Sequence, residues 1–265
     1  MKKILFGFLT VLLISCYALN SIAQISEGGT PPSIKHNLPE DNIDFITLPA
    51  VNMNSILIQD KAAAKSGEYL RSGVSVLVDM GISDAGTWYT QIDGSKIWRL
   101  KLHSKDAEAI AVYYDEFFLP PGGKLFLYNE NKTQIIGAFT HKNNRSHGKF
   151  ATELIQGDVV TLEYYEPKFV VGKAKINISE IAHAYRNVEM LNKYSSEKNT
   201  GWGSSEACQV NVNCSPVGDS WQNQKNGVAE IWLKDGMSYG WCTGGLVNNT
   251  AEDGTPYFLT ADHCG

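Results

Sequence analysis

Short apolar runs separated by turn residues fill the middle of the chain. Val74-Ser75-Val76-Leu77-Val78 is apolar and β-branched, and Ile97-Trp98-Arg99-Leu100-Lys101-Leu102 alternates apolar with charged positions. A two-residue period is that of a strand with one buried face, so the second run predicts a half-buried strand. Ala109 to Leu119 is a longer apolar and aromatic run, closed by the emphatic turn Pro120-Pro121-Gly122-Gly123. Lys124 to Tyr128, Gln134 to Phe139, Phe150 to Leu154 and Val159 to Tyr165 continue the series, with Asn129-Glu130-Asn131-Lys132 as a further turn. Short strands at this spacing predict an all-β fold over residues 71–175, an antiparallel β-sandwich.

The flanks read differently. Residues 24–70 form an N-terminal linker region, with Gly28-Gly29-Thr30-Pro31-Pro32 as a turn-rich stretch and Ala62-Ala63-Ala64-Lys65 as a short helical piece. Residues 176–200 are expected to be a helical and processing linker. Ser179 is a candidate cap for a helix to Leu191, with Ile181, Ala184, Tyr185 and Val188 on one face. Lys193 to Gly201 is polar and turn-prone, which suits an exposed segment open to cleavage. Strand patterns then resume in residues 201–265. Val228 to Leu233 is followed by an Asp235-Gly236 turn, then come Tyr239 to Val247 and, after a loop, Tyr257 to Thr260.

The first residues carry an export pattern. Lys2 and Lys3 precede an apolar run, Ile4 to Ile14, that is short for a bilayer span, and Ser21-Ile22-Ala23 fits a small-residue cleavage site. Residues 1–23 are therefore expected to be a signal peptide, and the protein to be secreted or periplasmic. The competing reading takes Leu13-Ile14-Ser15-Cys16 as a lipobox, with the protein anchored through a lipid on Cys16. No later apolar stretch is long enough for a transmembrane helix.

Composition narrows the function. A net charge of −5, with Lys and Arg scattered, gives no electrostatic case for nucleic acid or an anionic membrane. Of five cysteines, Cys208, Cys214, Cys242 and Cys264 lie near the end and Cys16 lies in the leader, leaving the sandwich stretch without any. That split argues for two units stabilised differently, in an exported chain able to keep disulfides.

His263 has a context that the other histidines lack. An apolar strand ends in Thr260-Ala261, a one-residue spacer follows, and then His263-Cys264. Cys242 precedes them and leads into Thr243-Gly244-Gly245-Leu246-Val247. His36, His103, His141, His147 and His183 have no such surroundings and are read as structural or surface residues. Asp262 is adjacent to His263, and neighbouring side chains diverge, so it is read as a solvent-facing turn residue. Zinc is disfavoured: adjacent His263 and Cys264 are awkward joint ligands, and no CxxC or HxxxH pair is present. No metal and no cofactor are expected.

Residues 206–265 resemble the start of a bacterial lysyl endopeptidase, a trypsin-like serine protease of the chymotrypsin fold. The matching stretches are Cys208 to Cys214, Cys242 to Thr250 and Tyr257 to Gly265. Residues 71–175 resemble the long propeptide that precedes such proteases. The resemblance implies that residues 201–265 form the first strands of an incomplete chymotrypsin-like β-barrel. It implies that His263 is the general base and that Cys242 pairs with Cys264. Cys208 and Cys214 then have partners further along in the family and are free, or paired with each other, here. The triad Asp and Ser lie downstream in the family. The chain as given is thus expected to be inactive alone, and a preference for lysine follows from the resemblance only.

The implied protein is a serine endopeptidase zymogen acting on protein and peptide substrates, monomeric, with Lys198-Asn199 as the candidate processing bond. Two other readings stand beside it. The chain is an inactive truncated product whose sandwich inhibits a related protease, or the sandwich is a binding module with Trp88, Tyr89, Trp98, Tyr113 and Tyr114 as contacts. Three coplanar exposed aromatic rings would favour the last.

Overall fold

The computed structural model describes residues 26–66, 71–186, 188 and 212–264. The signal-peptide and lipobox positions, Cys208 and the Lys198-Asn199 bond lie outside these residues. Among the described residues no helix is long and apolar enough to cross a membrane.

The chain is mostly β, with antiparallel sheets and no closed barrel. It begins with a short helix, α1 (Pro32–Lys35), a strand, β1 (Asp44–Thr47), and a longer helix, α2 (Met53–Ser66). Strands β2 (Arg71–Gly81), β3 (Thr87–Thr90), β4 (Lys96–His103) and β5 (Ala109–Phe118) follow. Next come β6 (Lys124–Asn129), β7 (Ile135–Phe139), β8 (Phe150–Ala151), β9 (Ile155–Gln156), β10 (Val159–Glu166) and β11 (Lys175–Ala184). The last part holds a short helix, α3 (Gln222–Asn226), and the strands β12 (Val228–Asp235), β13 (Ser238–Val247) and β14 (Tyr257–Thr260).

Two sheets result. The first runs β1-β4-β10-β6-β7, with β3 and β1 sharing one edge of β4. The second runs β12-β13-β2-β11-β5-β8, with β14 on β13 and β9 on β5. The β1–β4 pair is parallel, and the other pairs of the two sheets are antiparallel.

The inward faces meet in one core. Trp98, Leu100 and Leu102 of β4 and Leu162 and Tyr164 of β10 come from the first sheet. Ile110 and Val112 of β5 and Ile176, Ile178 and Ile181 of β11 come from the second. Their alternation along each strand is the two-residue period read in the sequence.

The outer face of the first sheet is also covered, which departs from expectation. Strand β4 was predicted to be half-buried, yet Ile97, Trp98, Arg99 and Leu100 are all buried. The cause is the N-terminal segment, read from sequence as a linker, which lies over that face. Arg99 donates to Pro39 O at 2.8 Å, and Glu163, wholly buried, accepts from Ser33 N at 2.8 Å and from Tyr128 Oη at 3.0 Å. A buried carboxylate needs such donors; the covering segment supplies Ser33, and β6 of the same sheet supplies Tyr128.

Two further expectations are corrected. Ser179 caps no helix; it lies within β11, which is hydrogen-bonded to β2 on one side and β5 on the other. The spacing of Ile176, Ile178 and Ile181 fits a strand once a bulge at Ser179 shifts the register. A strand with partners on both edges has its backbone satisfied there, and this outweighs the local helical pattern. The strand from Phe150 to Leu154 is limited to Phe150–Ala151, because Thr152 bonds Val112 through both its backbone and its hydroxyl and breaks the regular ladder.

Candidate functional site around His263

Strand β13 is the base of the site. It pairs with the whole of β12, from Asp235↔Ser238 to Val228↔Gly245. Gly236, at φ +56°, makes the tight turn between them, a conformation that suits a residue without Cβ. Strand β14 pairs with the far end of β13, Gly244 opposite Thr260 and Val247 opposite Tyr257. Gly244 is required by close packing: a Cβ there would lie 2.3 Å from the Phe258 ring. Thr260 adds a bond from its hydroxyl to Thr243 O at 2.9 Å.

The chain then turns through Asp262–Cys264, a single 3-10 turn closed by Cys264 N to Ala261 O at 2.9 Å. A disulfide joins Cys264 to Cys242 of β13, with Cα atoms 6.1 Å apart and a sequence separation of 22. Cys264 is buried and His263 and Asp262 are exposed. The bond anchors the turn to the strand and presents the imidazole to solvent. Asp262 makes no ion pair with it, as adjacent side chains on a turn diverge.

Among the described residues, no serine hydroxyl or carboxylate lies within hydrogen-bonding distance of His263. A ring nitrogen of His263 and the sulfurs of Cys242 and Cys264 do fall within 4.8 Å of one another. Both sulfurs are committed to the disulfide, so the imidazole is the one remaining metal donor of that group. Cys214 is a free, exposed thiol.

The other histidines do not form a competing site. Ser104 and His183 make a serine–histidine pair at 2.8 Å, but both are buried, and burial also holds the imidazole of His183 below its ordinary pKa. The carboxylate–histidine pair at 3.2 Å belongs to a different ring, His103 with Asp158. Nucleophile, base and carboxylate are therefore not on one line. The aromatic residues considered for a binding face are also dispersed. Trp98 and Tyr114 are core residues, and Trp88 and Tyr89 are exposed neighbours on β3, whose side chains leave on opposite faces. No three of the five rings make a shared exposed platform.

One set of residues escaped the sequence reading. Trp232, Lys234 and Tyr239 of the β12–β13 hairpin pack on Ser72, Tyr113 and Glu180 of the sandwich. The signal was faint: a Trp-Leu-Lys-Asp-Gly hairpin with aromatic residues on both arms reads in sequence like any surface hairpin.

The site is thus an imidazole presented on a disulfide-tethered turn in the C-terminal part of an antiparallel all-β chain. The family comparison sharpens this. The family "Lysyl endopeptidase, C-terminal domain" matches residues 202–265. The match covers β12, β13, β14 and the His263 turn, and marks this segment as protease-related.

Proposed function

We propose that this chain is part of an exported serine endopeptidase precursor, in which His263 is the general base. The observation that carries the proposal is the disulfide-tethered, exposed His263 turn inside a segment that matches a lysyl endopeptidase family. In such an enzyme a serine hydroxyl loses its proton to the imidazole as it attacks the peptide carbonyl. The imidazolium then returns the proton to the leaving amine. Exposure gives His263 access to both partners, and the Cys242–Cys264 bond limits how far its backbone can drift.

Residues 26–264 hold this base without a serine or carboxylate beside it among the described residues, so the described part by itself is expected to be catalytically silent. In the precursor, the sandwich takes the part of a propeptide, and cleavage at Lys198-Asn199 separates it from the protease portion. The substrates are proteins and peptides, with lysine ahead of the cut bond, and export proceeds through residues 1–23. The contact between β2 and β13 favours a further role of the sandwich as an inhibitor of the protease portion.

The open reading frame that carries these residues, expressed from its first codon to its stop, tests the reading. Peptidase activity on lysyl peptides and labelling by a serine-directed fluorophosphonate are expected. His263→Ala should remove about 10³-fold or more of the activity while the fold is retained. Activity undiminished in His263→Ala would overturn the assignment. N-terminal sequencing of the mature product checks the processing bond.

A further inference from the structure

Strands β2 and β13 come from distant parts of the chain and pair antiparallel, Val74 opposite Ser238 and Gly73 opposite Tyr239. Ser75 extends the ladder by donating its amide to Met237 O at 3.0 Å. The β12–β13 hairpin is thus added to the edge of the sandwich sheet, as a strand is added in β-augmentation.

Side chains around this short ladder are mutually fitted. The Trp232 indole donates to Ser72 Oγ at 2.7 Å, and Ser72 Oγ donates in turn to Tyr239 O at 3.2 Å. Trp232 stacks on Tyr239 with ring centroids 4.5 Å apart. Gly73 leaves the space for this, since a Cβ there would lie 2.9 Å from Trp232 Cζ2. Tyr239 is wholly buried and its phenol donates to Glu180. Lys234 pairs with the second oxygen of Glu180, and its ammonium sits 5.8 Å from the Tyr113 ring centroid.

Glu180 is the discriminating residue. Its side chain is 7% exposed, and of its three polar partners only Ser75 belongs to the sandwich. The other two, Tyr239 and Lys234, arrive with the hairpin. Without them the Glu180 carboxylate keeps only Ser75 and the Ser72 hydroxyl loses both Trp232 and Tyr239, which is costly. A surface of that kind is complementary to a hairpin with one cation and one buried phenol at these positions.

We propose that the β2 edge, with Glu180 behind it, is a docking site for a β-hairpin, and that it holds β12–β13 non-covalently after the chain between the two parts is cut. Docking also closes the β13 edge at 238–240 to any other strand. The inference does not depend on peptidase activity, because it is read by association alone.

The test inserts a recognition sequence for a site-specific protease between Lys193 and Gly201 of the full chain. The folded protein is cut, and size-exclusion chromatography follows the two parts over a dilution series. The unsubstituted parts are expected to co-elute at micromolar concentration. Lys234→Glu puts a like charge against Glu180 at an exposed position, so the uncut chain should keep its circular dichroism spectrum. Its cut parts should associate at least about tenfold more weakly. Tyr239→Phe, which removes only the phenol oxygen, should weaken association in the same direction. Separation of the unsubstituted parts upon cutting would overturn the proposal. So would equal retention in both variants.

Discussion

Trp232 donates its indole N–H to Ser72 Oγ at 2.7 Å, joining residues 160 positions apart. The protease-related segment is therefore built into the sandwich sheet and not merely tethered to it. Its first two strands lean on β2, and its third, β14, hangs on the remaining length of β13.

Acidification should loosen this contact. Burial pushes the Glu180 carboxyl up, but the ion pair with Lys234 and the hydrogen bonds from Ser75 and Tyr239 outweigh it, and the net pKa lies below the ordinary 4.5. A depressed carboxyl contributes stability that is present above its unfolded value and lost as pH falls through its folded value. Amide protection at Lys234 to Tyr239, taken relative to the intrinsic exchange rate at each pH, should fall below about pH 4.5. Glu180→Gln should remove most of that pH dependence.

Removing the disulfide should free the His263 turn without unfolding the sandwich. Closing a loop of this size contributes on the order of 3 kcal/mol. Cys242→Ser with Cys264→Ser should show early exchange of β13 and β14 amides in denaturant, with the core strands unchanged.

Asp60 ties α2 to the second sheet. Its side chain is 4% exposed, and it pairs with Arg71 at 2.7 Å and Arg186 at 3.0 Å and accepts from Tyr185 Oη at 2.8 Å. Asp60→Ala removes the anion shared by two guanidinium groups and the acceptor of the Tyr185 phenol, although Arg71 keeps Ile56 O and Gln59 Oε1. Because both arginines are partly exposed, a loss of roughly 3 kcal/mol, at the low end for a broken buried pair, is expected in chemical denaturation.

Residues 201–265 expressed alone should not fold cooperatively. In the chain, Tyr239 is covered by the sandwich, and Leu246, Val247, Tyr257, Phe258 and Leu259 are already exposed. Three strands with open edges and this much exposed apolar surface should aggregate. A sharp, disulfide-dependent unfolding transition in the isolated fragment would contradict this.

Most strands were legible because alternation and turn residues are local signals. Tyr257 to Thr260 was read at its exact bounds, and Asp235-Gly236 marks the hairpin turn. The helix read at Ser179 failed for a non-local reason. Ser179 to Ala184 instead lie in a strand inside the second sheet, and partners more than sixty positions away satisfy its backbone, as when His183 pairs with Ile110 and Val74.

The sequence alone determined the strand periodicity, the all-β class and the His263 context with its two flanking cysteines. These depend on residue type and spacing within a short window. Tertiary structure decided where the N-terminal segment lies, which charges are buried and which edge receives the β12–β13 hairpin. Glu180, Ser72 and Gly73 acquire meaning only when Lys234, Trp232 and Tyr239 are brought against them. The free energy of desolvating and pairing such groups depends on which surfaces meet, and a linear pattern does not carry that information.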